Sequence, residues 1–204
     1  MKLYFAPGTI SLMPYVALVE SGLPFAAIRV HEFSKLMEDG RDYRAVNPLG
    51  YLPALALDDG TVLLEAAAIA QYVADRQPAA KLAPPNGTIA RAQLHGWLNF
   101  MSSEMHKSGF APLFYKTLDE RAKDVFRERL RARFGYVDQH LSEREYLLND
   151  YSIADVGLYA ITGWAPRVGF DIRAYPNVIA HQSRIGARDA VREVQRIEGP
   201  VPAA

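Results

Sequence analysis

The sequence contains no cysteine. That excludes disulfides, thiolate metal sites and any chemistry that uses a thiol of the chain itself, and it fits a reducing compartment. Net charge is missing as well. The 23 basic residues balance the 23 acidic ones, which removes the electrostatic reason to expect nucleic acid or an anionic membrane surface as a partner. No run approaches the roughly 18 apolar residues that a spanning helix needs. Met1 and Lys2 lead after three residues and Ala6 into Pro7-Gly8, leaving no room for the apolar stretch of a secretory signal, so a cytoplasmic location is expected. There is no GxGxxG, P-loop or HExxH, and His31, His95, His106, His140 and His181 are not at metal-ligand spacing, so no metal is expected.

What is present is a chain of 204 residues, half of them hydrophobic, enough for one large domain or two small ones with a sizeable core. Leu3-Tyr4-Phe5 reads as a strand stopped by Pro7-Gly8. Ser11 to Ser21 reads as a helix, with Ser11 as N-cap candidate, Pro14 in the first turn and Gly22 as the stop. Ala26 to His31 is a second strand, making a βαβ unit. A polar loop follows, with one helical turn near Asp42 to Val46. Two apolar runs, 54–57 and 61–64, flank Asp58-Asp59-Gly60 as a hairpin, and Glu65 to Arg76 follows as a helix with Ile69, Tyr72 and Val73 on one face. The order β-α-β, loop, β-β-α is that of a thioredoxin-like fold on a mixed sheet.

Residues 78–87, with Pro78, Pro84, Pro85 and Gly87, read as a linker. Beyond it almost everything reads as helix: Ile89 to Met105, Ala122 to Leu141, Ser152 to Trp164, and two helices around Gly186 between Tyr175 and Arg196. The expected organisation is a thioredoxin-like domain over 1–77, a linker over 78–87 and an all-helical domain over 88–204. Ser152-Ile153-Ala154-Asp155 is a capping box, a folding element without a catalytic role. Arg184, Arg188, Arg192 and Arg196 fall four apart, but Gly186, Glu193 and Glu198 make a solvated face the better reading than a nucleic-acid surface.

This layout resembles the cytosolic glutathione transferases, and within them the bacterial beta class. The likeness runs over essentially the whole chain. It is carried by Lys2-Leu3-Tyr4 to Pro7-Gly8 with Ser11 and Leu12, by Trp97-Leu98-Asn99-Phe100, by Ser103-Glu104-Met105-His106-Lys107 and by Trp164-Ala165-Pro166. The resemblance implies a glutathione transferase that conjugates the glutathione thiolate to small hydrophobic electrophiles, with glutathione as co-substrate, a detoxification role and a homodimeric state. The departure is Ile10, which stands where such enzymes usually carry a cysteine. Mixed-disulfide and thiol-exchange chemistry should therefore be absent while conjugation stays possible. Phe5 replaces a tyrosine often found there, and Ala66 a serine.

The resemblance also distributes roles. The bond before Pro53 is expected to be cis, with the backbone of Leu52 pairing with the cysteinyl backbone of glutathione like an added strand; Tyr51 lies beside it. Glu65 and the N–H of Ala66 would hold the ammonium and carboxylate of the γ-glutamyl end, although Glu65 could equally serve only the helix start. The sulfur would sit at Thr9, Ile10 and Ser11. Lowering a thiol pKa by about two units from about 8.5 takes on the order of 2.7 kcal/mol. A helix N-terminus supplies about 0.3–1 kcal/mol and one hydrogen bond to a charged group about 1.5–3. Ser11 is the first candidate donor and Thr9 the second, with a plain N-cap as the alternative for Ser11. His106 could donate to the sulfur or to water, and Asn99, seven residues earlier, would share its helix face. Lys107 and Lys35 could pair with the glycine carboxylate, and Glu104 would reach the ammonium from a neighbouring subunit. Phe110, Phe114, Tyr115 and Trp164 are candidates for the electrophile pocket, or plain core. A non-catalytic ligand-binding or interaction protein and a glutathione-dependent peroxidase remain alternatives on the same fold.

Overall fold

The computed structural model describes residues 1–199. The described residues divide by packing into two compact units, 1–83 together with 189–199, and Pro84–Arg188. The last helix therefore packs with the first unit rather than with the helical segment it follows in sequence.

The first unit is built on four strands, β1 (Lys2–Phe5), β2 (Ala26–Arg29), β3 (Ala54–Ala56) and β4 (Val62–Leu64), with helices α1 (Leu12–Ser21) and α2 (Ala66–Arg76). The sheet order is β2-β1-β3-β4. β1 runs parallel to β2, with Leu3 opposite Ala27, and antiparallel to β3, with Leu3 opposite Leu55; β3 and β4 form the antiparallel hairpin. The mixed thioredoxin-like sheet is thus as expected, with β2, β3 and β4 one or two residues shorter than their sequence signals and β1 one residue longer. The βαβ crossover closes because Gly22 takes φ +67, a left-handed stop that lets its N–H bond to the Val19 carbonyl. The expected turn near Asp42 is a 3₁₀ turn over Tyr43–Ala45, capped by Asp42 through the Arg44 N–H. Leu3, Val16, Leu18, Leu55, Ile69 and Val73 are fully buried and form the core between sheet and helices.

Helix α8 (Asp189–Glu198) completes this unit by packing on α1, with Val191 and Val194 fully buried. Arg29 fixes its C-terminus. One guanidinium nitrogen donates to the carbonyls of Ile197 at 3.0 Å and Glu198 at 2.6 Å, where the helix leaves its last carbonyls unpaired and its dipole is negative.

The second unit is helical. Its main elements are α3 (Ile89–Phe100), a π-helical continuation over Met101–Phe110, α4 (Ala111–Leu113), α5 (Glu120–Leu141), α6 (Ile153–Thr162) and α7 (Pro176–Gly186). Asp119 caps α5, accepting from the Ala122 N–H at 2.7 Å, so the helix starts two residues before the expected Ala122. The sequence reads one helix from Ile89 to Met105, whereas the regular α-helix ends at Phe100 and continues as a widened turn over 101–110. Within it the Ala111 N–H reaches back to the His106 carbonyl, and Ser103 and Ser108 return their hydroxyls to the carbonyls of Asn99 and Glu104 four residues earlier. Side-chain hydroxyls that bond carbonyls in this way loosen a helix. Gly109 allows α5 to press in at the same place, since a Cβ there would meet Leu130 Cδ2 at 2.6 Å.

Asp155 does more than complete the capping box. Its Oδ2 accepts the Ser152 N–H at 2.9 Å, as expected, while Oδ1 accepts the Leu147 N–H at 2.9 Å and lies 3.0 Å from His181 Nε2. Ser152, Asp155 and His181 are all buried. One carboxylate therefore ties a loop, a helix start and α7 together. No helix among the described residues is long and apolar enough to cross a membrane.

Candidate active site

In the first unit, the turn between β1 and α1 carries Thr9, Ile10 and Ser11. Ser11 has helical backbone angles (φ −57, ψ −24) and makes no side-chain cap bond. The expected N-cap role is corrected here. The Ser11 hydroxyl is fully buried and turned onto the loop, 2.8 Å from Thr9 Oγ1 and 3.5 Å from the Ala6 N–H. Thr9 Oγ1 also donates toward the Ala6 carbonyl at 2.8 Å and accepts the Ser11 N–H at 3.2 Å. Both hydroxyls are thus committed to holding the turn. The N–H groups of Thr9 and Ile10 have no partner among the described residues, and both residues are half-buried. They point to a helix start with donors to spare.

The same turn is gripped by Glu198 of α8, which the sequence places on a solvated face and the structure buries, because its carboxylate turns in to the Gly8 N–H. Its Oε2 accepts the Gly8 N–H at 3.2 Å, while Oε1 is buried with no partner among the described residues. Burial raises the carboxyl pKa to about 7, against the lowering effects of the Gly8 N–H and Arg29. The folded chain therefore favours the protonated acid. The stability this adds is fully present below its ordinary value near 4.5 and is lost as pH rises through about 7. A shift of that size corresponds to about 3 kcal/mol. We expect Glu198→Gln, which stays neutral, to flatten the loss of thermal stability between pH 5 and pH 8 and to match or exceed the parent at pH 8. Denaturation midpoints at the two pH values check this, and an equally steep loss in the variant contradicts it.

The segment Asn47–Pro53 lies before β3. The Leu52–Pro53 bond is cis, as expected. Gly50 sits at φ +66, and a Cβ there would meet the stem of Lys35 at 3.5–3.6 Å, so Lys35 and this loop are brought together. Lys35 itself has φ +64, and burial lowers its pKa. Tyr51 is exposed and Pro53 buried. Glu65 opens α2 at φ +67, ψ 120, with its side chain making no cap bond. Such angles are nearly confined to glycine, and strained backbone of this sort collects at ligand-holding positions. The exposed Glu65 carboxylate stands beside a helix N-terminus that begins with Ala66. An ammonium acceptor and carboxylate donors are therefore adjacent.

The second unit holds the remaining candidates. His106 is half-buried, its ring 4.8 Å from Trp164. Burial, with a smaller contribution from Lys107, lowers its pKa to about 4, so the imidazole is neutral at physiological pH. Asn99 is exposed. The expectation that it shares a face with His106 fails because the π-helical turn from Met101 changes the rotation per residue. Glu104 is held by Arg133, whose Nη2 and Nε both donate to Oε2, at 2.6 and 3.2 Å. Lys107 is exposed.

Phe110 is fully buried and packs edge-on against Phe134 and Trp164, so it backs the aromatic cluster instead of lining an open pocket. Trp164 retains 6% exposure. Phe114 lies 6.3 Å from it, under the Arg167 guanidinium. Tyr115 is exposed. Among the described residues no three His, Asp or Glu side chains come together in a way that could hold a metal ion.

Comparison with known proteins agrees with this geometry. Residues 10–76 match the family description "Glutathione S-transferase, N-terminal domain" and residues 100–189 match "Glutathione S-transferase, C-terminal domain". The chain is 38% identical over 200 residues to glutathione S-transferase GstA of Escherichia coli O157:H7, covering 98% of this chain and 99% of that one. Among solved structures, a ternary complex of BphK, a bacterial GST, is 45% identical with a TM-score of 0.94, covering 98% of this chain and all (100%) of that one. A bacterial beta-class glutathione S-transferase from Sphingomonas chungbukensis is 40% identical with a TM-score of 0.93 over 98% of this chain and 99% of its own. A sphingomonad glutathione S-transferase complexed with glutathione gives the same identity (40%), TM-score (0.93) and coverage (98% and 99%).

Proposed function

Since this chain belongs to the glutathione S-transferase family and is a glutathione transferase of bacterial beta-class type, we propose that it joins glutathione to small hydrophobic electrophiles without any thiol of its own. The backbone N–H of Ile10 is the main donor to the bound thiolate. Thr9 and Ser11 shape the turn that offers it. The observation that carries this reading is the pair of unpartnered N–H groups at Thr9 and Ile10 beside two hydroxyls that are already engaged. One hydrogen bond to a charged group, about 1.5–3 kcal/mol, plus a helix start, about 0.3–1, matches the roughly 2.7 kcal/mol that a two-unit fall in thiol pKa requires.

In this reading Leu52 pairs with the cysteinyl backbone, and Glu65 with the Ala66 N–H holds the γ-glutamyl end. Lys35 meets the glycine carboxylate, beside Tyr51. The enzyme works as a homodimer, with Glu104 reaching the ammonium across the interface. Its Oε1 is the oxygen that Arg133 leaves for this. His106 donates as a neutral imidazole, and Trp164, Phe114 and Tyr115 face the electrophile. Most of the rate enhancement comes from thiolate stabilisation and proximity.

The ultraviolet difference spectrum of bound glutathione against pH tests this. The expected result is a thiol pKa about two units below its free value of about 8.5. In Ser11→Ala the affinity for glutathione should fall while that pKa stays within about half a unit. A large rise in the variant would make Ser11 the direct donor. Tight binding with an unshifted pKa in the parent would replace the transferase mechanism with a ligand carrier's.

A further inference from the structure

The described structure gives Tyr43 and Asn47 a shared partner, the backbone carbonyl of Tyr51. The Tyr43 hydroxyl donates to that oxygen at 2.8 Å and the Asn47 Nδ2 donates to it at 2.8 Å. Tyr43 is fully buried and Asn47 is 3% exposed. The Asn47 amide is oriented by both its ends, because its Oδ1 accepts the Leu49 N–H at 3.2 Å and the reversed amide would set an oxygen against the Tyr51 carbonyl. Burial raises the Tyr43 phenol to about 12, so it remains a donor throughout the working range of pH.

A peptide unit is planar and, when trans, its C=O and the following N–H point in opposite directions. The Tyr51–Leu52 bond is not among the cis bonds of the described chain. Pinning the Tyr51 carbonyl to two buried donors therefore turns the Leu52 N–H away from the interior. That N–H has no partner among the described residues, and Leu52 is half-buried. One bond alone would leave the peptide plane free to rock about it, and the second, from a different direction of the chain, removes that freedom.

We infer that Tyr43 and Asn47 are positioning residues, which touch no ligand and act by aiming the Leu52 N–H at the carbonyl of the ligand's central cysteinyl residue. The inference rests on the reading of Leu52 as the strand-like partner of glutathione. It adds the two side chains that hold the amide at the required angle before the ligand arrives. A preformed donor spares the ligand the ordering cost that a mobile loop would impose.

Steady-state kinetics on Tyr43→Phe and Asn47→Ala, in the full-length enzyme, test the inference. Tyr43→Phe keeps the ring volume and removes only the hydroxyl. Each variant should raise KM for glutathione about 2- to 10-fold with kcat unchanged. The second readout is the preference for glutathione over γ-glutamylcysteamine, a thiol that lacks the cysteinyl carbonyl and the glycine. Loss of aim should shrink that preference, whereas general loosening would raise both KM values equally and leave it intact. An intact preference in both variants, or an unchanged KM, overturns the inference. The outcome is separable from the transferase reading, because that reading is decided in the parent enzyme alone, by its turnover and by the pKa of the bound thiol. Should one variant fold poorly, the other alone decides.

Discussion

Glu65→Gly should raise KM for glutathione about 10- to 100-fold while leaving the protein as stable as the parent or more so. The first half follows from losing a charge-assisted bond to the ligand's ammonium, worth about 1.5–3 kcal/mol. The second half follows from the backbone. Glu65 sits at φ +67, ψ 120, where a residue with a Cβ costs about 1–3 kcal/mol. Glycine removes that cost and adds about 0.5–1 kcal/mol of its own in conformational entropy. The net change should lie between about zero and 2 kcal/mol in favour of the folded state. Glu65→Ala is the control, since it loses the same carboxylate and keeps the strain. The two variants should share the KM defect and differ in melting temperature. Equal melting temperatures would show that the strain is no larger than the roughly 0.5–1 kcal/mol of entropy that glycine adds, and an unaltered KM would show that the carboxylate meets no ligand.

The opposite pattern is expected at Asp155. Asp155→Ala should lower stability by about 3–5 kcal/mol, because it strips the acceptor from buried donors on Leu147, Ser152 and His181 at once. A capping residue by itself is worth about 0.5–2 kcal/mol. The additional partners, which join α5's trailing loop, α6 and α7, account for the difference. For a chain of this size that is a fall in melting temperature of about 6–20 °C. KM and kcat of the molecules that remain folded should not change, since Asp155 touches no part of the candidate site. Asp155→Asn keeps one acceptor oxygen and should fall between the parent and the alanine variant. Thermal denaturation of the three proteins checks the order. A drop confined to the capping range would mean that the His181 and Leu147 bonds contribute nothing.

These two sites also mark what the sequence reveals and what it conceals. The strands, the 54–64 hairpin, the left-handed Gly22 and the Ser152–Asp155 box are written in neighbouring residues, so periodicity and turn chemistry suffice to find them. The π-helical turn over 101–110 has no such signature. It arises where serine hydroxyls loosen the ladder and Leu130 presses against Gly109. It is why Asn99 and His106 part company. Ser11 reads as an ordinary cap in the sequence, yet Thr9 and Ala6 draw its hydroxyl aside. Glu198 grips Gly8 across 190 residues of chain, a separation that no local pattern bridges. Asn47-Pro48 does carry a turn signal, and Asn47 could have been singled out on that ground. The paired donation of Tyr43 and Asn47 to one carbonyl is visible only once the chain is folded.

The placement of α8 bears on how the protein is made. The first unit needs α8 to cover α1, and Arg29 and Gly8 wait for partners at Ile197 and Glu198. Residues 84–188, which form the other unit, must be synthesised in between, a delay of roughly 5–20 s at ordinary ribosomal speed. During that interval the strands that emerge first lack part of their cover, and the turn that carries Gly8 and Ile10 is untethered. The helical unit, contiguous in sequence, can close before the unit that precedes it. A nascent chain stalled before residue 189 would therefore carry a folded helical part and an unfinished catalytic one, exposed to chaperones and proteases until the last helix docks.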